Sequence, residues 1–216
     1  MKSSPESKAG SQSNPKDERL PISRFVLFFV ILVVGLAADL ITKSVIFSQH
    51  FDPNDRSHEA HWWIDGVFGI QTSTNGGALF GLGQGGSMWF AILSIVALLA
   101  ILFWLFYKRL AHSLWLTITL GIISGGILGN FYDRVGWGYD PKWEWEEIRY
   151  HVRDWIHFRL DGIKFFDPWP NFNIADSLLV CGAIMLFLYT FLSPVPQKQA
   201  DSEKESTNDK PKPSDS

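Results

Sequence analysis

Apolar residues along the chain are gathered into four long blocks, separated by stretches rich in charged and polar residues. The second and third blocks, 88–107 and 113–132, each run for 20 positions without a charged residue. The first block covers 25–47 and the fourth covers 174–192. A helix needs about 20 apolar residues to cross the hydrocarbon core of a bilayer. The pattern therefore predicts an α-helical membrane protein with four transmembrane helices.

Both ends of the chain are polar and carry few apolar side chains, which is typical of disordered segments. We expect two disordered tails, 1–21 and 196–216, on either side of a four-helix domain, 22–195. The first apolar block is too long for the apolar part of a signal peptide, so we expect it to be retained as an anchor. Two longer polar stretches, 49–87 and 134–173, connect the first helix to the second and the third to the fourth.

Positive charge is distributed in a way that favours one orientation in the membrane. Lysine and arginine occur in both tails, and Lys108 and Arg109 lie in the short link between the second and third helices. The positive-inside rule puts this side in the cytoplasm, so we predict cytoplasmic termini and external loops at 49–87 and 134–173. The first of these loops has one basic residue, whereas the second has six, interleaved with acidic residues.

Tryptophans are concentrated at the predicted membrane surfaces. Seven of the ten lie in the two external loops and the other three lie near helix ends, as in an interfacial aromatic belt. The stretch 62–72 of the first external loop mixes glycine with β-branched and aromatic residues, which favours short strands joined by turns. We therefore expect a small β-rich element on the outer membrane surface.

Glycines in the third apolar block predict its place in the bundle. Gly121, Gly125 and Gly129 are spaced four residues apart. This spacing of small residues lets neighbouring helices approach closely, because no side chain separates the backbones. We expect the third helix to be the central one.

Composition and motif content exclude several classes of function. The formal net charge is −3 and no basic stripe is present, so we expect no nucleic-acid partner. The single cysteine, Cys181, cannot form an intrachain disulfide. The six histidines form no HExxH motif and no Cys/His cluster, and there is no phosphate-binding loop. We accordingly predict no metal and no cofactor.

A small set of polar residues lies inside or at the ends of the predicted helices, where unpaired charge is costly. Asp39 and Lys43 are four residues apart on one helix face, so they either neutralise each other or contact a substrate. Asn130, Asp133 and Arg134 fall within about one turn at the end of the third helix. Asp133 there suits either a structural network at the helix end or catalysis.

Two further aspartates, Asp154 and Asp176, stand among apolar or aromatic neighbours. Two carboxylates brought together at low dielectric do not easily both ionise, so one keeps its proton. Such a pair can activate water and protonate a leaving amine, as peptide-bond hydrolysis requires. The residues alone leave Asp133 and Asp154 equally eligible as the partner of Asp176. They also leave open a non-catalytic membrane protein that binds lipid or conducts protons.

Five short motifs occur in an order that is similar to that of one known family. They are DLITK at 39–43, NGGALFG at 75–81, GGILGNFYDR at 125–134, VRDWI at 152–156 and FNIADS at 172–177. Their order, and their relation to four predicted helices, resembles the lipoprotein signal peptidases, the type II signal peptidases of bacteria. Any single motif is weak evidence, whereas the ordered set is specific.

The resemblance implies an intramembrane aspartyl endopeptidase that removes signal peptides from prolipoproteins, cleaving just before a diacylglyceryl-modified cysteine. It implies that Asp154 and Asp176 are the catalytic pair and that Asp133 supports them beside Arg134. We expect a monomer among the lipids of the bacterial cytoplasmic membrane, with its active site near the outer face. The resemblance implies substrate-binding roles for seven residues: Asn75, Gly77, Asn130, Arg134, Asn173, Asp39 and Lys43.

The chain departs from the family pattern at two places. Arg153 and Trp155 replace the second valine and the phenylalanine of a block that normally reads VVDF. The stretch between Arg134 and Asp154 is longer than usual and contains the Trp/Glu-rich run 143–147. This stretch is either an added surface element over the substrate or an inert insertion.

Overall fold

The structure is a computed structural model that describes residues 19–52, 59–77, 85–159 and 169–192. It comprises four long helices, a small sheet and several short helical turns. The predicted tails fall outside the described residues, apart from the last three residues of the first one, so both tails stay predictions. The motif NGGALFG at 75–81 lies outside them from residue 78 onward.

Four long helices confirm the four predicted spans. Each helix is apolar and has 19 to 29 residues, enough to cross a bilayer, when the π turn that follows the second helix is counted as part of it. The π turn, Phe103–Tyr107, precedes a short 3₁₀ turn that leads into the third helix. In chain order the helices are α1 (Ile22–His50), α2 (Ser87–Leu102), α3 (Leu114–Arg134) and α4 (Ile174–Leu192).

Helix α3 is central, as its glycines predict, and contacts each of the other three helices. A Cβ atom added at Gly125 would lie 3.1 Å from the Leu32 carbonyl oxygen of α1. One added at Gly126 would lie 2.6 Å from the Ala175 carbonyl oxygen of α4. Helix backbones therefore meet where α3 has no side chains.

The predicted β-rich element is a three-stranded antiparallel sheet in the order β1–β2–β3. Its first two strands form a hairpin whose turn includes Gly66 at a φ of +69°, a conformation that glycine adopts readily. The third strand comes from the stretch 134–173 and was not predicted, because its residues are almost all buried and show no alternation. The strands are β1 (His61–Ile64), β2 (Phe68–Asn75) and β3 (Val152–Phe158).

The bundle carries apolar side chains outside and polar ones inside. Val33 and Leu99 are 56% and 60% exposed, whereas Asp39, Lys43 and Asn173 are fully buried. In a bilayer the exposed apolar surface meets hydrocarbon, and polar groups have to be satisfied within the protein. These polar groups gather between the middle part of α1, the end of α3 and the start of α4, beside the sheet.

Candidate active site

The start of α4 holds Asp176 in an arrangement that the local sequence specifies. Asn173 precedes the helix, and its Oδ1 atom accepts a hydrogen bond from the Asp176 backbone N–H at 2.9 Å. In return, Asp176 Oδ2 accepts one from the Asn173 backbone N–H at 3.2 Å. This reciprocal pair is a capping box, which satisfies N–H groups that the first helical turn leaves unpaired. The cap fixes one carboxylate oxygen and leaves Oδ1 for another donor.

Two asparagine side chains connect Asp176 with Asp154. Asn130 of α3 donates from Nδ2 to Asp176 Oδ1 at 2.8 Å. Asn173 donates from Nδ2 to Asp154 Oδ1 at 2.7 Å and to Asn130 Oδ1 at 3.1 Å. The fold thus joins the two aspartates through shared amide donors, although one lies on β3 and the other on α4.

Asp154 lies in the middle of β3, and only 3% of its surface is exposed. This burial, followed by the negative charge of Asp176, raises the pKa of Asp154 to about 8. The charge of Lys43 and hydrogen bonds with Asn173 and Asn75 lower the pKa and so act in the opposite direction. Burial and the neighbouring charge of Asp176 therefore favour the protonated form of the Asp154 carboxyl.

Both aspartates line a cleft of about 290 Å³ that is bordered by helices and by the sheet. Its polar lining includes Asn75, Asn130, Arg134, Asp154, Asn171 and Asp176. Ile127, Leu179 and Val180 give it an apolar wall. A cleft with this lining suits an amphiphilic molecule whose polar part meets the carboxylates.

Behind the cleft, Asp39 and Lys43 form the ion pair that their spacing predicts. The Lys43 ammonium lies 2.8 Å from Asp39 Oδ2 and 3.0 Å from Asp133 Oδ2. It also donates to Asn130 Oδ1 at 3.2 Å, while Asp39 Oδ1 accepts from the Ala175 N–H at 2.9 Å. Asp39 and Lys43 are fully buried and do not line the cleft. These contacts tie α1 and α3 to the start of α4.

Asp133 is paired with Arg153 as well as with Lys43, whereas Arg134 makes different contacts. Arg153 Nε donates to Asp133 Oδ1 at 2.9 Å, and the Arg153 backbone N–H donates to Oδ2 at 3.1 Å. Arg134 faces the cleft, with Nη2 3.4 Å from the Gly77 carbonyl oxygen and its guanidinium 5.4 Å from the Phe90 ring. The sequence analysis assigned no role to Arg153. The signal that could have indicated one is the charged side chain at a position where the family block VVDF has a valine.

The stretch 135–151, which is longer than in the family pattern, packs at the C-terminal end of α1. It does not line the cleft. The ring centroid of Trp143 lies 5.8 Å from that of Phe47 and 4.9 Å from that of Phe51. Both alternatives for the role of this stretch stay predictions. The stretch covers the side of β3 that faces away from the cleft.

Other groups able to do chemistry stand apart from the cleft. Cys181 is exposed on the outside of α4. Within the described ranges, no group of three or more His, Cys, Asp or Glu side chains is arranged to hold a metal ion. The two aspartates of the cleft are therefore the candidates for proton exchange with a bound molecule.

Comparison with known protein sequences gives a consistent result. A family model described as signal peptidase (SPase) II matches residues 31–192. A lipoprotein signal peptidase of Rhodopirellula baltica is 46% identical over 188 residues, which cover 85% of this chain and 80% of that protein. The lipoprotein signal peptidase of Geobacillus thermodenitrificans is 31% identical over 176 residues, which cover 81% of this chain and 96% of that protein.

Two solved structures, both described as bacterial membrane enzyme structures obtained by the in meso method, share the fold. One has a TM-score of 0.60 at 23% identity and covers 92% of this chain and 98% of its own. The other has a TM-score of 0.59 at 23% identity and covers 84% of this chain and 100% of its own. With four apolar helices and a family match over most of its length, the chain is a bacterial multi-pass membrane protein that belongs to the signal peptidase II family.

Proposed function

We propose that this chain is an intramembrane aspartyl endopeptidase that removes signal peptides from prolipoproteins, cleaving before the diacylglyceryl-modified cysteine. The observation that carries the proposal is the pair Asp154 and Asp176, which share one cleft and are linked through Asn173. Membership of a signal peptidase family and the names of the relatives support cleavage of a peptide bond as the reaction. Asp154 and Asp176 are the catalytic residues in this proposal.

The two carboxylates share one proton in this proposal. Asp176 accepts N–H hydrogen bonds on both oxygens, from the Asn130 amide and the Asn173 backbone. Burial raises the pKa of Asp154 to about 8, so this residue keeps its proton. The pair then carries one proton and one negative charge, which avoids placing two charges side by side.

Hydrolysis proceeds by general acid–base catalysis from this state. Asp176 takes a proton from a water molecule as the water oxygen attacks the scissile carbonyl carbon. Asp154 donates a hydrogen bond to the carbonyl oxygen, on which negative charge develops. When the tetrahedral intermediate collapses, the proton held by Asp176 passes to the leaving nitrogen, the C–N bond breaks and the carboxylic acid is released.

The lining of the cleft matches the two parts of a lipidated peptide. Arg134 and Asn75 lie in the polar part and supply donors for peptide carbonyl groups. Leu179 and Val180 lie in the apolar part, and Val180 is 54% exposed on the outside of the bundle. An acyl chain can therefore enter from the bilayer beside α4 while the peptide stays near the carboxylates.

We also propose that the cleft lies near the outer face of the cytoplasmic membrane and that both termini are cytoplasmic. The basic link with Lys108 and Arg109 precedes α3, whereas the cleft lies at the opposite end of that helix. Positive charge favours the cytoplasmic side, which leaves the cleft outside. Since both carboxylates come from one chain, a monomer has a complete site.

The catalytic pair is tested by Asp154→Asn and Asp176→Asn, which keep the side-chain shape but remove the carboxyl group that takes up or releases a proton. We expect kcat to fall by about 10²–10⁴-fold in each variant. The measurement is release of the signal peptide from a diacylglyceryl-modified prolipoprotein by the purified protein. Asp65→Asn is the matched control, because Asp65 is exposed in the turn between β1 and β2 and its loss leaves cleavage unchanged.

Each variant is first checked for insertion into the membrane. This check distinguishes a loss of catalysis from a failure to fold. Full cleavage by Asp154→Asn or by Asp176→Asn contradicts the proposed pair. Proton or ion flux through reconstituted vesicles, without cleavage of the lipidated precursor, supports the non-catalytic alternative instead.

A further inference from the structure

Arg153 immediately precedes Asp154 on β3, and successive residues of a strand point to opposite faces. Its guanidinium accordingly contacts Asp133 at the end of α3 and does not line the cleft. Nε donates to Asp133 Oδ1 at 2.9 Å, and Nη2 lies 2.9 Å from the same oxygen. The Arg153 backbone N–H donates to Oδ2 at 3.1 Å. One carboxylate thus holds both the side chain and the backbone of the residue next to Asp154.

This contact completes a buried row of alternating charges. Arg153 is 5% exposed and Asp133 is 1% exposed. Together with the Asp39–Lys43 pair, they form a formally neutral set. Without Arg153, Lys43 alone would face two carboxylates, and a buried negative charge in excess is strongly destabilising. Arg153 supplies the second cation, which leaves Lys43 able to donate to Asn130 as well.

The segment 135–143 passes directly over the Arg153–Asp133 pair. A Cβ atom added at Gly138 would clash with Asp133 Oδ1 and would lie 2.8 Å from Arg153 Nη2. The guanidinium carbon lies 5.8 Å from the centre of the Phe47 ring, against which Trp143 also packs. Exclusion of water strengthens an ion pair, because the local dielectric is low. The segment therefore covers the pair and stabilises it.

We propose that Arg153 is a positioning residue for the catalytic pair: it clamps β3 to α3 and so sets the place of Asp154 relative to Asp176, under the cover of segment 135–143. The inference rests on the proposed function. The Arg153 carbonyl oxygen accepts a hydrogen bond at 3.4 Å from Asn173 Nδ2, the atom that also donates to Asp154. A shift of β3 would thus disturb the donor that links the two aspartates.

The test replaces Arg153 by valine, a residue that suits a buried strand. We expect kcat on the lipidated precursor to fall by about 10- to 100-fold, because small displacements of catalytic groups slow the reaction strongly. KM stays within about twofold of the wild-type value, since the cleft residues that contact the substrate are retained. Arg153→Lys keeps the charge and restores part of kcat. Rates are expressed per folded protein, separated by size-exclusion chromatography.

Two further variants make the test specific. Arg149→Ala is the matched control: Arg149 lies in the same loop and pairs with Glu146, but the two side chains are 46% and 72% exposed, so we expect unchanged kinetics. Gly138→Ala keeps every charge and crowds the clamp, so it lowers kcat by a separate route. It also provides the decisive measurement if Arg153→Val does not fold.

If folded Arg153→Val has the wild-type kcat, the inference is overturned and Arg153 is a purely structural residue. If Arg153→Val does not fold, a wild-type kcat in folded Gly138→Ala leads to the same conclusion. A raised KM at unchanged kcat overturns the inference as well. The wild-type protein and Asp154→Asn are assayed in parallel. If the wild-type protein does not cleave, or if Asp154→Asn does, the proposed function fails and the inference fails with it. The two kinds of failure are therefore distinguishable.

Discussion

The orientation of the Asn130 side chain follows from the groups around it. A lysine ammonium only donates hydrogen bonds, so the amide oxygen of Asn130 faces Lys43, at 3.2 Å. The amide nitrogen then faces Asp176, to which it donates at 2.8 Å. Lys43 thus directs an N–H donor at Asp176 through Asn130.

The protonated state of Asp154 gives the reaction an alkaline limit. Burial and the charge of Asp176 raise the pKa of Asp154 to about 8, so the proton is held below that pH and lost above it. Because the proposed mechanism needs this proton, we expect kcat/KM to decline as the pH rises through about 8. The measurement is the pH–rate profile on the lipidated precursor. A rate that stays constant well above this pH contradicts the role of Asp154.

Asn75 provides a matched variant for the same measurement. Its hydrogen bond with Asp154 lowers the pKa of that carboxyl. Asn75→Ala removes this effect, so the pKa of Asp154 rises and the alkaline limit of kcat/KM moves to higher pH. An unchanged limit, or one at lower pH, argues against the hydrogen bond as a determinant of the proton affinity.

Among the helices, the close approach of α3 and α4 depends on positions without side chains. A Cβ atom added at Gly129 would clash with the Asp39 carboxylate and would lie 3.0 Å from Ala175 Cβ. The same contact region carries the hydrogen bond between Asn130 and Asp176. The distance between the two helices therefore sets both the packing and the geometry of the cleft.

Gly126→Ala tests this dependence, because its Cβ would lie 2.6 Å from the Ala175 backbone oxygen, which cannot rotate away. We expect a loss of about 1–3 kcal/mol in the free energy of unfolding, seen as a lower Tm in detergent. Gly35→Ala is the control: its Cβ would lie 3.0 Å from Cδ1 of Leu178, the movable end of a side chain. A Tm loss in Gly35→Ala as large as that in Gly126→Ala contradicts the explanation.

For the protein as a whole, the distribution of side chains requires a bilayer and predicts an orientation in it. Apolar side chains cover the outside of the helices, as Phe187 does at 62% exposed. The cleft and the sheet lie at one end of the bundle, and the basic link with Lys108 lies at the other. By the positive-inside rule, we predict that the cleft lies on the outer side.

Cysteine labelling tests this orientation in spheroplasts. Cys181→Ser gives a cysteine-free background, since Cys181 is the single cysteine. We expect a membrane-impermeant thiol reagent to label Trp137→Cys in intact spheroplasts, because Trp137 is 65% exposed beside the cleft end of α3. Lys108→Cys reacts only after the membrane is permeabilised. The reverse pattern contradicts both the predicted orientation and the cytoplasmic termini.

The features that could be predicted from the sequence have local causes. Apolar length specifies the four spans. The helix cap formed by Asn173 and Asp176 also has a local cause, although it was not predicted. The strand β3 could not be predicted in this way. It exists because β2 pairs with it from a distant part of the chain, and its burial hides the alternation by which strands are recognised.

The choice between Asp133 and Asp154 as the partner of Asp176 depends on contacts between distant residues. Along the chain both were eligible, and the family resemblance rather than local chemistry selected Asp154. In the folded protein Asp133 accepts from Arg153, 20 positions away, whereas Asp154 shares the cleft and the Asn173 amide with Asp176. Local spacing along the chain does not predict these contacts, because they form only once β3 and α4 have packed against α3.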